Sequence, residues 1–124
     1  MEMKELIEKF AEGCKELIGH DPEYKDGVYE CRGFSLDTKS RKLEFSIEDD
    51  SVLIVKKGDK FKIKAFTAEY GYLDISLDTD LINDVKVGEH TRDDKRYKVF
   101  VFETDIGTIK EAFGDVDIVI DLKD

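Results

Sequence analysis

The hydrophobic period of the chain changes once, near Val28, and this change limits the possible folds more than any other feature. Over residues 3–18 apolar side chains recur at intervals of three and four, with charged residues between them. That spacing predicts an amphipathic α-helix with one buried face. Gly19 predicts a left-handed cap at the helix C-terminus, and Pro22 prevents the helix from resuming.

From Val28 onward apolar and polar residues alternate, which predicts β-strands. Residues 42–48, KLEFSIE, alternate as a strand with one buried face does. Residues 51–57, SVLIVKK, and 97–103, YKVFVFE, are apolar on both faces, and this predicts central positions in a sheet. Further strands are expected at residues 72–77, 85–87 and 116–122.

These elements predict a single α+β domain over residues 1–124, with one antiparallel or mixed sheet of six to eight strands packed by the N-terminal helix. A short helix capped by Asp105 and running to Phe113 is expected before the last strand. A chain of 124 residues can bury a core without disulfides. Cys14 and Cys31 are therefore expected to be reduced and buried, with a disulfide or a reactive thiol as the alternative.

The segment KKGDKFKIK, residues 56–64, holds five lysines in a chain whose formal net charge is -10. Gly58-Asp59 is typical of a two-residue turn, which predicts a hairpin. In that hairpin the lysines sharing one face would be Lys57, Lys60, Lys62 and Lys64. The simpler interpretation is a solvated face whose lysine stems cover apolar neighbours. The alternative is a patch that binds an anionic ligand.

The negative charge lies mainly in the second half of the chain. Residues 67–124 carry 7 basic and 15 acidic side chains, against 13 and 15 in residues 1–66. This balance disfavours direct binding of duplex nucleic acid, which requires cationic side chains, and favours a basic protein as the partner. The carboxylates expected to contact it are Asp74, Asp78, Asp80, Asp84, Asp115, Asp117 and Asp121. Rows of carboxylates on strands would imitate phosphates, so we expect an inhibitor or regulator of a nucleic-acid-binding protein.

Two other functions are compatible with the sequence. A cavity between helix and sheet would bind a small apolar ligand, with tyrosines at its mouth. Those tyrosines are Tyr24, Tyr29, Tyr70 and Tyr72. The stretch from Asp78 to Asp84 contains oxygen donors suited to a divalent cation, although it lacks the glycine and the glutamate of an EF-hand loop.

The sequence contains no recognisable catalytic, metal or cofactor motif, so a binding protein is expected rather than an enzyme. His20 and His90 lie in polar segments without a second ligand at zinc spacing. No apolar run reaches the roughly 20 residues that span a bilayer, and the acidic, amphipathic N-terminus does not resemble a signal peptide. A cytoplasmic protein of undetermined oligomeric state is therefore expected.

Overall fold

The computed structural model describes the backbone of residues 1–31, 34–48, 52–56, 62–65, 72–112 and 117–122. These residues form one α-helix, one 3-10 helix and eleven β-strands. The helix α1 spans Met3–Ile18, and the 3-10 helix spans Thr79–Leu81. The strands are β1 (Glu23–Lys25), β2 (Val28–Cys31), β3 (Phe34–Asp37), β4 (Lys42–Glu48), β5 (Val52–Lys56), β6 (Lys62–Ala65), β7 (Tyr72–Asp78), β8 (Ile82–Arg92), β9 (Lys95–Thr104), β10 (Gly107–Ala112) and β11 (Asp117–Leu122).

The predicted N-terminal helix is confirmed. Its apolar stripe buries Leu6, Phe10 and Cys14, and its charged residues remain largely exposed. Gly19 adopts a left-handed conformation with φ of 82°, and its N–H donates to the carbonyl of Lys15 at 2.9 Å. That bond satisfies a carbonyl which the end of the helix would otherwise leave unpaired.

The strands of the described segments form two sheets. Sheet A has the order β1-β2-β3-β4-β7-β6, and sheet B has the order β5-β11-β10-β9-β8. Strands β5 and β11 are parallel, and every other pair is antiparallel. The α+β class is confirmed, but the single sheet of six to eight strands is wrong. The alternation of apolar and polar residues shows that one face of a strand is buried. It does not show whether a helix or a second sheet covers that face, so it could not distinguish one sheet from two.

One hydrophobic core joins α1 to both sheets. Phe10 of α1 stacks on Phe100 of β9, with ring centroids 5.5 Å apart. Phe34 of β3 lies 5.4 Å from Phe100 and 5.5 Å from Phe102. All four rings, called here the phenylalanine cluster, are almost fully buried. Their separations are those of favourable aromatic pairs, so one cluster holds the helix and the two sheets together.

Of the two strands predicted to lie centrally in a sheet, one does and the other does not. Strand β9 lies between β10 and β8, and it buries Phe100 on one face and Val99 and Val101 on the other. Its central position is therefore confirmed. Strand β5 is an edge strand of sheet B, so its predicted central position is wrong. An apolar run does not by itself determine where a strand lies in a sheet.

The hairpin predicted around Gly58-Asp59 is wrong. Strand β5 pairs with β11 in sheet B, and β6 pairs with β7 in sheet A, so the two strands belong to different sheets. A turn sequence expresses a local preference, whereas strand pairing depends on the side chains that each strand meets across the sheet. The described lysines of the segment, Lys56 in β5 and Lys62 and Lys64 in β6, therefore do not lie on two paired strands.

The short helix predicted from Asp105 is also wrong. Residues 107–112 form β10, which pairs with β9 and β11. The Oγ1 atom of Thr104 accepts hydrogen bonds from the N–H groups of Ile106 and Gly107 at 3.2 and 3.1 Å, and donates to the carbonyl of Gly107 at 2.7 Å. These bonds close a tight turn between β9 and β10 and leave no helix start at Asp105.

The closest contact between α1 and sheet B gives a test of this packing. A Cβ at Gly13 would lie 2.6 Å from ring atoms of Phe100. Replacing a helix-interior glycine with alanine usually stabilises by about 0.5–1 kcal/mol. Here we expect Gly13→Ala to lower the free energy of unfolding by about 1–3 kcal/mol, because the ring must shift in a filled core. Urea denaturation measures the difference.

The control for this substitution is a double-mutant cycle with Phe100→Leu. In the Phe100→Leu background the smaller side chain leaves room for the new methyl group, so Gly13→Ala should become neutral or stabilising. A stabilising effect of Gly13→Ala in the wild-type chain would contradict the close contact of α1 with Phe100.

Candidate functional site

Three of the aspartates expected to face a partner are bound to basic side chains. Lys9 Nζ lies 2.6 Å from Asp84 Oδ1, Arg41 Nη2 lies 2.9 Å from Asp80 Oδ1, and Lys42 Nζ lies 3.3 Å from Asp78 Oδ2. Lys9 belongs to α1. Arg41 immediately precedes β4, and Lys42 is the first residue of that strand. Each of these carboxylates is therefore neutralised within the chain and contributes little surplus negative charge to a surface.

Asp84 belongs to a charge network that ties α1 to the edge of sheet B. Its Oδ1 accepts from Lys9 Nζ and also from the N–H of Val85, at 2.9 Å. The hydrogen bond from Lys9 lowers the pKa of Asp84, with partial burial opposing and the Val85 N–H adding to the effect. The same bond raises the pKa of Lys9. Nearby, Lys86 lies 2.8 Å from Glu103, which raises the pKa of Lys86.

The remaining predicted carboxylates are spread over both sheets. Asp74 lies in β7, opposite Ser46 of β4 and Lys64 of β6. Asp117 and Asp121 lie in β11, opposite Val52 and Lys56 of β5, and the Asp121 side chain is exposed. Asp115 lies outside the described residues. The described aspartates thus occupy sheet A, sheet B and the 3-10 helix, and the strand register brings them into no common row.

The predicted lysine patch is only partly described. Lys57 and Lys60 lie outside the described residues. Lys62 and Lys64 lie in β6, where their strand partners are Ser76 and Asp74 of β7. The register therefore places Lys64 across from an acidic residue, and the described part of the chain offers no lysine row on a single hairpin.

A different group of carboxylates forms a row on the outer face of sheet A. Reading across the sheet, the paired positions are Glu23, Glu30, Ser35, Glu44, Ser76 and, on the last strand, Lys62. The three glutamates, called here the glutamate row, are all exposed. Neighbouring strands lie about 4.8 Å apart, so the row extends for roughly 15 Å. The opposite face of the same strands buries Leu36, Leu43 and Leu77 in the core, so the row is held on a rigid support.

The glutamate row carries negative charge that no described salt bridge neutralises. None of its members forms a salt bridge with a described residue, and Glu23 lies directly opposite Glu30 on the neighbouring strand. Like charges in directly opposed positions destabilise a strand pair. Lys25 lies two positions from Glu23 in β1, where it pairs with Val28. The register thus sets up a repulsion between Glu23 and Glu30 that no described salt bridge offsets and that a cationic partner would reduce.

A tight turn brings Glu23 and Glu30 together. Asp26 and Gly27 connect β1 to β2 with φ angles of 50° and 85°, which are typical of a type I′ turn. The segment YKDGVY contains this Asp-Gly pair between strand-forming residues. Asp-Gly is among the strongest short-range hairpin signals, so it could have predicted both the hairpin and the opposed glutamates. The larger acidic surplus of residues 67–124 gives no indication of this hairpin.

The hairpin of β1 and β2 also carries an exposed aromatic side chain. Tyr24 is 61% exposed and is the only large apolar side chain of the described residues with this exposure. Its ring centroid lies 4.6 Å from that of Tyr29, which packs against the core. Tyr24 pairs with Tyr29 in the register, so both point away from the face that bears Glu23 and Glu30.

The alternative sites find little support in the described geometry. Within the part of the chain that is described, no group of three or more histidine, cysteine or acidic side chains is arranged to hold a metal ion. Phe10 and Phe100 are in stacking contact at the interface of α1 with sheet B, and the whole phenylalanine cluster is buried. At that interface aromatic rings occupy the space that a ligand cavity would require.

Comparison with other proteins assigns no function to this surface. No family model, no curated protein and no solved structure matches the chain. Among the described residues, no helix has the length and apolar character needed to cross a membrane.

The partly buried ion pair between Lys9 and Asp84 is expected to stabilise the fold, and a substitution at Asp84 tests this. Asp84→Asn removes the charge that binds Lys9 and should lower the free energy of unfolding by about 1 kcal/mol at pH 7. Because the folded-state pKa of Asp84 is lowered, its contribution is complete above the unfolded pKa of about 3.9 and is lost as the pH falls through the folded value. Urea denaturation at pH 7 and near pH 3 measures the two differences.

Asp80→Asn is the matched control, because Asp80 pairs with Arg41 while 71% of its side chain remains exposed. We expect almost no change in stability from this substitution at either pH. Equal effects of the two substitutions, or a loss at Asp84 that does not shrink near pH 3, would contradict a structural role for the bond between Lys9 and Asp84.

Proposed function

We propose that this chain is a small protein-binding domain that docks a basic partner on the outer face of sheet A. The observation that carries the proposal is the glutamate row. Its three carboxylates are exposed, placed in one row by the strand register and without a cationic partner among the described residues. The aspartates with described ion pairs are already bound to basic side chains, whereas the glutamate row remains available for binding.

The chemistry of the row suits a partner rich in lysine or arginine. Serines separate Glu30 from Glu44 and follow Glu44 across the sheet, so the carboxylates stay hydrated and reachable. Exposed charges of this kind contribute mainly to the rate and specificity of association. A net charge of -10 extends the attraction to a basic partner beyond direct contact. An inhibitor or regulator of a nucleic-acid-binding protein would require these properties.

The proposal is tested by titrating the isotopically labelled chain with an eight-residue lysine peptide and following backbone amide shifts. We expect the largest shifts at Glu23, Glu30 and Glu44. The variant Glu23→Gln/Glu30→Gln/Glu44→Gln should bind about tenfold more weakly, since three exposed charge interactions are lost. Binding by the wild-type chain should also weaken severalfold when salt rises from about 0.05 to 0.2 M, as screening shortens the range of attraction.

The matched control is Glu2→Gln/Glu8→Gln/Glu16→Gln, which changes the net charge equally on the exposed side of α1. This variant should keep its affinity within about twofold of wild type at the same salt concentration. Equal losses in both triple variants would show a general charge effect and contradict the proposed site. Binding that ignores salt and is lost in Tyr24→Ala would place an apolar interface on the opposite face of the hairpin.

A further inference from the structure

The two cysteines of the chain meet in the core. Cys14 lies in the last turns of α1 and Cys31 is the last residue of β2. Cys14 is 0% exposed and Cys31 is 1% exposed, and both belong to the core that contains the phenylalanine cluster. Their side chains are in hydrogen-bonding contact, although neither forms a disulfide. Residues distant in sequence are thus brought together as a thiol pair.

The position of Cys14 is set by the same packing that fixes α1. Its neighbour Gly13 contacts the ring of Phe100, which allows no space between the helix and β9. Cys31 pairs with Phe34 of β3 in the strand register, and Phe34 also contacts Phe100. Both cysteines are therefore held next to a shared set of rings, and their relative position does not depend on an exposed loop.

Burial makes the thiols slow to react in the closed state. Loss of hydration raises the pKa of the Cys14 thiol above its ordinary value, and the hydrogen bond with Cys31 offsets part of the rise. A thiol with a raised pKa holds little of the nucleophilic thiolate at neutral pH. Reaction with a reagent in solution thus requires a transient opening of the core.

We infer that Cys14 and Cys31 form an oxidisable dithiol site, which a small-molecule disulfide such as oxidised glutathione converts to an intramolecular disulfide joining α1 to β2. One cysteine thiolate attacks a sulfur of the reagent, forms a mixed disulfide and releases one reduced thiol. The second cysteine thiolate then attacks the protein sulfur and releases the other. Two protein thiols are oxidised, and one reagent disulfide is reduced to two thiols.

The folded core favours this product because closing of the core brings the second cysteine back to the first. The bond would enclose the 16 residues between the two cysteines. Closing a loop of about this length restricts the unfolded chain and raises the melting temperature by about 5–10 °C. We expect the fold to remain unchanged, because both side chains are buried in the same core and interact there. The inference is independent of the glutamate row.

The test is incubation of the folded chain with oxidised glutathione, followed by intact-mass measurement and thiol counting after denaturation. We expect a species that has lost two hydrogen atoms, has no remaining thiol and keeps the far-UV circular dichroism of the reduced chain. Its melting temperature should rise by about 5–10 °C and return to the starting value on reduction. Oxidation should accelerate at low urea concentrations, which promote opening.

The single variants Cys14→Ala and Cys31→Ala are the controls. Each should stop at a glutathione mixed disulfide and show no increase in melting temperature. Three results for the wild-type chain would overturn the inference: retention of both thiols at equilibrium, a stable mixed disulfide as the end product, or a disulfide that forms only with loss of the native circular dichroism. The wild-type measurements decide the matter even where a variant fails to fold.

Discussion

The contact of Phe100 with Gly13 is the constraint on which the rest of the structure depends. Because position 13 lacks a side chain, the ring lies against the backbone of α1, where it also stacks on Phe10. The edge of the same ring meets Phe34 of sheet A. One aromatic side chain therefore fixes the distance between the helix and sheet B and contributes to the contact between the two sheets. Lys9, one helical turn before Gly13, is thereby placed within reach of Asp84.

Two groups of carboxylates among the described residues differ in their surroundings. Carboxylates near the junctions between elements are close to basic side chains and form ion pairs, as at Asp78, Asp80 and Asp84. The glutamates of the glutamate row pair in the strand register with serines and with one another, and their side chains are exposed to solvent. The net charge of the chain does not distinguish these two groups. Their surroundings in the fold do, and this is why the glutamate row is the better candidate for binding.

Local patterns predicted α1, its glycine cap and strands such as β4 and β9, because each depends on the period of its own residues. Local patterns gave wrong predictions where the structure depends on residues distant in the sequence. Gly58-Asp59 favoured a hairpin, yet β5 and β6 pair with β11 and β7. Ile106, Ile109 and Phe113 have helical spacing, but the side-chain hydrogen bonds of Thr104 turn the chain into β10. The glutamate row was missed because its members come from three strands, although Asp26-Gly27 encoded the contact between the first two.

Native-state hydrogen exchange tests the central role of the phenylalanine cluster most directly. If Phe100 joins α1 and both sheets in one cooperative unit, the slowest amides of α1, β3 and β9 should exchange with a common free energy equal to that of global unfolding. The same amides should share one dependence on denaturant. Exchange of α1 at a distinctly lower free energy, with β3 and β9 still protected, would show that the helix opens independently and would contradict a single core built on this ring.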